Sequence, residues 1–395
     1  MQSSKIFIVN KILRISSVYP NLIDNLKKEI DYKNLSYEEL LKKIFNQKYS
    51  VSNNLTKNFN KKGYKCVEVI NNINFLQKKW LKKYGLKKNN DDILIQQIKF
   101  YKPNIIFIAN VDLISKTKIN ELKKLDYIKL IFCFHCAPIS EKMILNFNNI
   151  DFILTCTEDY KKKLLRATGK PVYLMQHAYS NSTGIKYNGK KRDIDVTFIG
   201  SLFIQKKLHL KRIEIIYDLL KKFDNRFIAI NFSNYFFIHL IIFIIKSLFN
   251  KDFYKKNLLY KLMFVYFSSN KPIFGTSMFK IFNKSKILVN MHIEDTKYAG
   301  NMRLFEGTGS GCLVLTDKKK DLQKLFKLNH ELVVYKDKND LITKIKFFLK
   351  NNIILSKIAK NGRNKTLKFH NYEKRLNILD KIIKKNLSLN NLCEK

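Results

Sequence analysis

Short apolar runs alternate with longer, lysine-studded segments along this chain. The runs KIFIV (5–9), NIIFIA (104–109), KLIFCF (129–134) and DVTFIG (195–200) are rich in β-branched and aromatic residues. They read as strands buried on both faces, and the segments between them carry a helical period, the pattern of parallel sheets covered by helices. The first region is predicted to hold a strand at 5–9, a mostly helical stretch from about 20 to 62, and a strand near 65–70 after Gly63. Helices over 77–84 and 91–101 follow, and Pro103 closes the second of them before the strand 104–109. Further strands are predicted at 129–134, 151–155 and 172–176. In such doubly wound sheets ligands gather at the carboxyl ends of the strands, which here are followed by Asn110, His135, the residues 155–157 and the residues 176–177. The second region reads as strands 194–199, 227–232, 286–290, 312–315 and 331–334 with helices between. Leu376, Leu379, Ile382 and Ile383 then share one face of a helix over 372–389.

At 395 residues the chain exceeds a comfortable single core, so two domains are expected. The small, polar stretch SNSTGIKYNGKKR (180–192) is the natural linker. The expected division is an N-terminal domain over 1–180, a linker over 181–192, a second domain over 193–371 and a last helix, 372–395, crossing back to the first domain. An apolar insertion interrupts the second domain near 235–270. Its first part, YFFIHLIIFII (235–245), is about half of what a bilayer-spanning helix requires and is expected to form a buried helix, with a helix half-sunk in a membrane surface beside the lysines of 246–261 as the alternative.

Composition changes this picture little. The net charge of +43 comes from lysines and arginines spread from Lys5 to Lys395 in clusters of two or three, alongside abundant Asn, Ile, Phe and Tyr. A nucleic-acid binder would concentrate its basic residues on one face or tail, so specific nucleic-acid binding is excluded as an expectation. An affinity for phosphorylated ligands or anionic membrane surfaces is not. The cysteines are Cys66, Cys133, Cys136, Cys156, Cys312 and Cys393. Cys133 and Cys136 form a CxxC without a second Cys/His pair at zinc-ligand spacing, so they are expected to act as small apolar residues. No secretory signal pattern opens the sequence, and a reducing cytoplasm is the expected location.

The stretch YAGNMRLFEGTGSGCLVLTD (298–317) carries the most chemistry. Gly300 can bend the chain before a helix whose first turns are Asn301 to Glu306, and the amides at a helix start suit a phosphate. Arg303 can fork onto phosphate oxygens. Glu306, three residues on, projects from the same face and could accept hydrogen bonds from ribose hydroxyls; the same two residues would also suit an ordinary surface ion pair. Gly307, Gly309 and Gly311 permit close packing before the next strand. A second candidate is Gly200–Ser201 after the strand 194–199, where glycine lets backbone approach a phosphate. His209 and Arg212, spaced i, i+3, could supply charge to a diphosphate. His135, in FHCAP at a strand end, could act as a base or a substrate clamp, although a lone histidine is more often a satisfied loop residue. His177 and His292 are weaker candidates.

The run SKILVNMHIEDTKYAGNMRLFEGTGSGCLVLTD (285–317) resembles the CgeB-like glycosyltransferases of the spore-maturation-protein type. So do DVTFIGSL with His209 and Arg212 (195–212), the tail HELVVYKDKNDLITKIKFFL with IAKNGRNKTLKFHNYEKR (330–375), and the N-terminal segments 36–45, 63–80 and 102–114. The resemblance implies the GT-B architecture, two Rossmann-like α/β domains with parallel sheets facing a central cleft. It implies transfer from a nucleotide-diphosphate sugar to a glycan, lipid-linked or protein acceptor, with retention of configuration and no required metal or cofactor. By position, Glu306 matches the ribose-binding glutamate, and Gly300, Asn301 and Met302 match the backbone that meets the diphosphate. Eight residues before Glu306, where related retaining enzymes often place a second glutamate near the sugar, this chain has Tyr298. A non-catalytic binding or scaffold protein of the same fold, at a membrane surface or on an anionic partner, is the alternative.

Overall fold

The computed structural model describes residues 9–48, 53–87, 92–180, 192–202, 209–232, 236–248, 253–294 and 296–393. The chain divides into two compact units, Met1–Gln176 with Tyr372–Lys395, and His177–Asn371.

The first unit is built on six parallel strands: β1 (Lys11–Ser16), β2 (Lys65–Ile70), β3 (Ile105–Ile108), β4 (Leu130–Phe134), β5 (Phe152–Thr155) and β6 (Val172–Leu174). Their order is β2-β1-β3-β4-β5-β6. Most of the expected opening strand lies outside the described residues, and β1 forms instead from KILRIS. Its signal was hidden by Arg14, a charge in the middle of an apolar run. The register explains that charge, because Arg14 lies directly beside Glu68 of β2. The two side chains form a buried ion pair, and the hydroxyls of Ser16 and Thr56 donate to the same carboxylate at 2.9 and 2.8 Å. Burial pushes the Glu68 carboxyl up, and Arg14 and the two hydroxyls pull it back.

The helical stretch near 20–62 resolves into Pro20–Glu29, Tyr37–Asn46 and Asn54–Lys61. The second starts with a capping box between Ser36 and Glu39. Helix Tyr372–Cys393 buries Leu376, Leu379 and Ile383. Tyr64 donates to Asp380 at 2.7 Å and Arg375 Nε to the Gln176 carbonyl at 3.0 Å.

The cysteines depart from expectation at one place. Cys66, Cys133 and Cys312 are free and buried, whereas a disulfide joins Cys136 and Cys156, with Cα atoms 5.6 Å apart. Because β4 and β5 are adjacent and parallel, residues just past their carboxyl ends become neighbours, which sequence spacing does not show.

The second unit carries β7 (Ile194–Leu202), β8 (Arg226–Phe232), β9 (Ser285–Asn290), β10 (Leu313–Asp317) and β11 (Val333–Tyr335), all parallel, in the order β11-β10-β9-β7-β8. The chain leaves β7 toward β8 on one side and returns to β9 on the other. The strand order therefore reverses between β7 and β9, and their carboxyl ends flank a crevice of the kind that receives ligands in open α/β sheets.

The apolar insertion overturns one expectation. Helix Phe236–Leu248 buries Phe236, but Phe237, Ile238, Ile241, Ile242 and Ile245 are exposed. It packs outside the sheet, next to helix Phe253–Ser268 and the edge strand β8, and an outer-layer helix has neighbours on one side only.

Candidate functional site

Helix Met302–Gly309 brings the candidate residues to this crevice. Asn301 is its N-cap, with the side-chain oxygen accepting from the Leu304 amide at 3.3 Å. The Asn301 amide nitrogen donates to Asn290 Oδ1 at 2.8 Å and to the Met291 carbonyl at 3.1 Å, which staples the helix start to the end of β9. At the other end Arg192 donates to the Ser310 carbonyl at 2.9 Å and Arg363 to the Gly309 carbonyl at 3.2 Å. Cations thus sit at the negative end of the helix, and its positive end opens at the carboxyl ends of the strands.

The glycines permit this placement, as expected. A Cβ on Gly307 would come within 2.2 Å of Leu288 and 2.9 Å of Val314, and one on Gly309 within 2.4 Å of the Tyr179 ring. Gly311 takes a left-handed φ of +79° that turns the chain into β10.

Arg303 reaches across the crevice. Its Nε donates to the Ile199 carbonyl of β7 at 3.0 Å, and its guanidinium pairs with Glu306. Arg303 is half-buried, while Glu306 is only 5% exposed. The side chains therefore point at the end of β7 and at each other. A guanidinium anchored on one N–H and paired through another keeps further donors, and an ionised carboxylate keeps further lone pairs.

Gly200 and Ser201 lie within β7, which continues to Leu202, and not in a loop after it. The strand is longer than its apolar run because both residues pair with β8, Gly200 beside Ile230 and Ser201 beside Asn231. Arg212, on helix Leu210–Lys222, donates to the Ser201 carbonyl at 2.6 Å and the Met291 carbonyl at 3.1 Å, so it spans the same two strand ends. Its Nε is buried with no partner among the described residues. Burial brings the guanidinium down to about 10, with Tyr335, Asp317 and Glu294 opposing, and it stays charged at neutral pH. His209 does not. Burial first, and the Arg212 charge second, push it down to about 3. The expected pair of cations is therefore one cation and a neutral imidazole.

The loop before the helix is held from β10. Gly300 donates its amide to His292 Nε2 at 3.4 Å, and His292 Nδ1 lies 2.8 Å from Asp317 Oδ1, which also accepts from the His292 amide at 3.0 Å. An imidazole protonated at Nδ1 satisfies both contacts. Burial opposes ionisation of Asp317, but the hydrogen bonds from His292 and the Lys319 ammonium outweigh it and hold the carboxyl at about 2. Asp321 accepts from the Ala299 amide at 2.7 Å, and the half-buried Tyr298 sits next to that contact. Sequence reading ranked His292 low and passed over Asp317. The available signal was a carboxylate at the carboxyl end of a strand.

His135, in the first unit just after β4, is 2% exposed. Its Nε2 lies 3.0 Å from the Ala137 carbonyl, and its ring meets Phe147 edge-on. Burial lowers its pKa, with the Asp112 charge and the Ala137 carbonyl opposing. The residue fixes its own loop, the arrangement of a satisfied loop histidine.

Residues 254–381 match a protein-family model described as glycosyl transferase-like. No curated protein matches the sequence. Among solved structures the chain is similar to a sucrose-phosphate synthase from Thermosynechococcus elongatus, at 9% identity and a TM-score of 0.56, covering 96% of this chain and 100% of that one. A glycosyltransferase from Rickettsia africae aligns at 11% identity and a TM-score of 0.57, over 96% and 99% of the two chains. HepE from Anabaena, in complex with UDP-glucose, aligns at 9% identity and a TM-score of 0.57, over 95% and 99%. The fold is that of the GT-B enzymes, and residues 254–381 form a glycosyl transferase-like domain within it.

Proposed function

We propose that this chain transfers a sugar from a nucleotide-diphosphate donor to a glycan, lipid-linked or protein acceptor in the cytoplasm, as a relative of the CgeB-like enzymes. The observation that carries the reading is the convergence of Asn301, Arg303 and Arg212 on the carboxyl ends of β7 and β9, with Glu306 buried beside Arg303. In this reading the amides of Asn301 to Arg303 and the two guanidiniums receive the diphosphate, and Glu306 accepts from the ribose hydroxyls. HepE, of the same fold, is seen with UDP-glucose, which makes UDP-sugars the first donors to test.

The acceptor oxygen bonds to the anomeric carbon as the bond from that carbon to the diphosphate oxygen breaks. Fixed cations and helix-start amides stabilise the charge that develops on the leaving group. That arrangement suits departure without a metal, and retention of configuration follows from the resemblance. His209, neutral, can offer a hydrogen bond there but no charge.

Glu306→Gln tests the assignment. It preserves shape and one acceptor but removes the charge, and hydrogen bonds to charged groups are worth roughly 1.5–3 kcal/mol. UDP affinity by titration calorimetry should fall about 10- to 100-fold, with the melting temperature close to that of the parent. A variant that binds UDP and turns over donor as the parent does would remove Glu306 from the site.

A further inference from the structure

The insertion between β8 and β9 presents an apolar surface that the nucleotide site does not use. On helix Phe236–Leu248, Phe236 is buried against Phe232 and Tyr266, with ring centroids 4.5 and 4.9 Å away, and Leu240 and Ile244 follow it on the inner side. The opposite side carries Phe237, Ile238, Ile241, Ile242 and Ile245, between 45% and 57% exposed. Their spacing of i, i+1, i+4, i+5 and i+8 makes a single stripe without a polar atom.

The stripe continues onto helix Phe253–Ser268. Phe237 and Phe267 both pack on the Tyr266 ring, at 5.3 and 5.2 Å, and Phe267 is 76% exposed. The support beneath is firm. The Asn270 amide donates to the Ile228 carbonyl of β8 at 2.7 Å, its side chain accepts from the Ile228 amide at 3.1 Å, and Tyr217 packs on Phe264 at 5.2 Å. The exposed face is thus carried by an ordered layer.

We propose that this face is a docking surface for an anionic phospholipid membrane, on which helix Phe236–Leu248 lies flat with its stripe among the acyl chains. Charge complementarity selects this occupant. Residues 236–268 contain Lys246, Lys251, Lys255, Lys256 and Lys261 against one acid, Asp252, and Lys271 and Lys280 are exposed just beyond. An apolar stripe within a lysine-rich segment is the composition of helices that bind in the interface plane, where acyl chains take the apolar face and anionic headgroups the cations. No helix among the described residues is long and apolar enough to cross a membrane. A second copy of this chain would bring the same positive charge to the same place. The inference is independent of the donor reading.

The test uses the full chain with vesicles of phosphatidylcholine alone and of phosphatidylcholine with phosphatidylglycerol at equal parts. The parent should sediment with the anionic vesicles. A Phe237→Ser/Ile241→Ser double variant should lose affinity about tenfold or more while keeping its melting temperature and its nucleotide affinity. In an I241W variant, tryptophan emission should shift to the blue on adding anionic vesicles, while the parent, whose single tryptophan Trp80 is buried, should not change. Equal binding of parent and serine variant, or an unshifted I241W emission, would mean adhesion through net charge alone and would overturn the proposal. A parent that ignores vesicles but forms a dimer that the serine variant abolishes would also overturn it, making the face a contact between copies.

Discussion

Replacing Asp317 by Asn isolates the relay that holds the glycine bend. In the parent, Asp317 Oδ1 accepts from the His292 amide and ring, and its other oxygen lies 3.4 Å from the Lys319 ammonium. These contacts hold the carboxyl at about 2 against an ordinary 3.8, although burial alone would raise it. At roughly 1.4 kcal/mol per tenfold change in proton affinity, ionised Asp317 contributes about 2 kcal/mol to the folded state at neutral pH. The folded-state pKa is the depressed one, so this contribution is complete above about pH 4 and fades as pH falls toward 2. Asparagine keeps one acceptor and no charge. Urea unfolding of parent and variant should differ by about 2 kcal/mol at pH 7, with the gap closing between about pH 4 and pH 2. UDP affinity at pH 7 should fall as well, because His292 Nε2 would no longer be fixed as the acceptor for Gly300. A gap unchanged from pH 7 to pH 3, or no gap at pH 7, would refute the relay.

Two further substitutions probe the scaffold. Glu68→Ala leaves Arg14 buried without its counter-charge and should cost about 3–5 kcal/mol in denaturant unfolding, whereas an R14M/E68L double variant should recover most of that loss. Gly307→Ala pushes a methyl group into Leu288 and Val314, and should lower stability by about 1–3 kcal/mol, measured by calorimetry.

Local pattern in the sequence determined the kinds of element present. Parallel strands in buried sheets must be short, apolar and rich in branched residues, so β2 to β11 were visible as runs, and the glycines after Glu306 announced close packing that the structure shows. The GT-B resemblance likewise rested on contiguous motifs. What tertiary structure decided were the pairings between distant residues and the environments those pairings create. Arg14 looked like a break in a strand until the register set it beside Glu68, and Cys136 met Cys156 only through adjacent strand ends. His209 counted as a cation until burial beside Arg212 removed its charge. Helix Phe236–Leu248 read as core because composition reports how apolar a segment is, while the number of sides on which it has neighbours is fixed by the layer in which it packs. Spacing along the chain describes one helix or strand at a time; charge state and exposure depend on what comes to lie across from it.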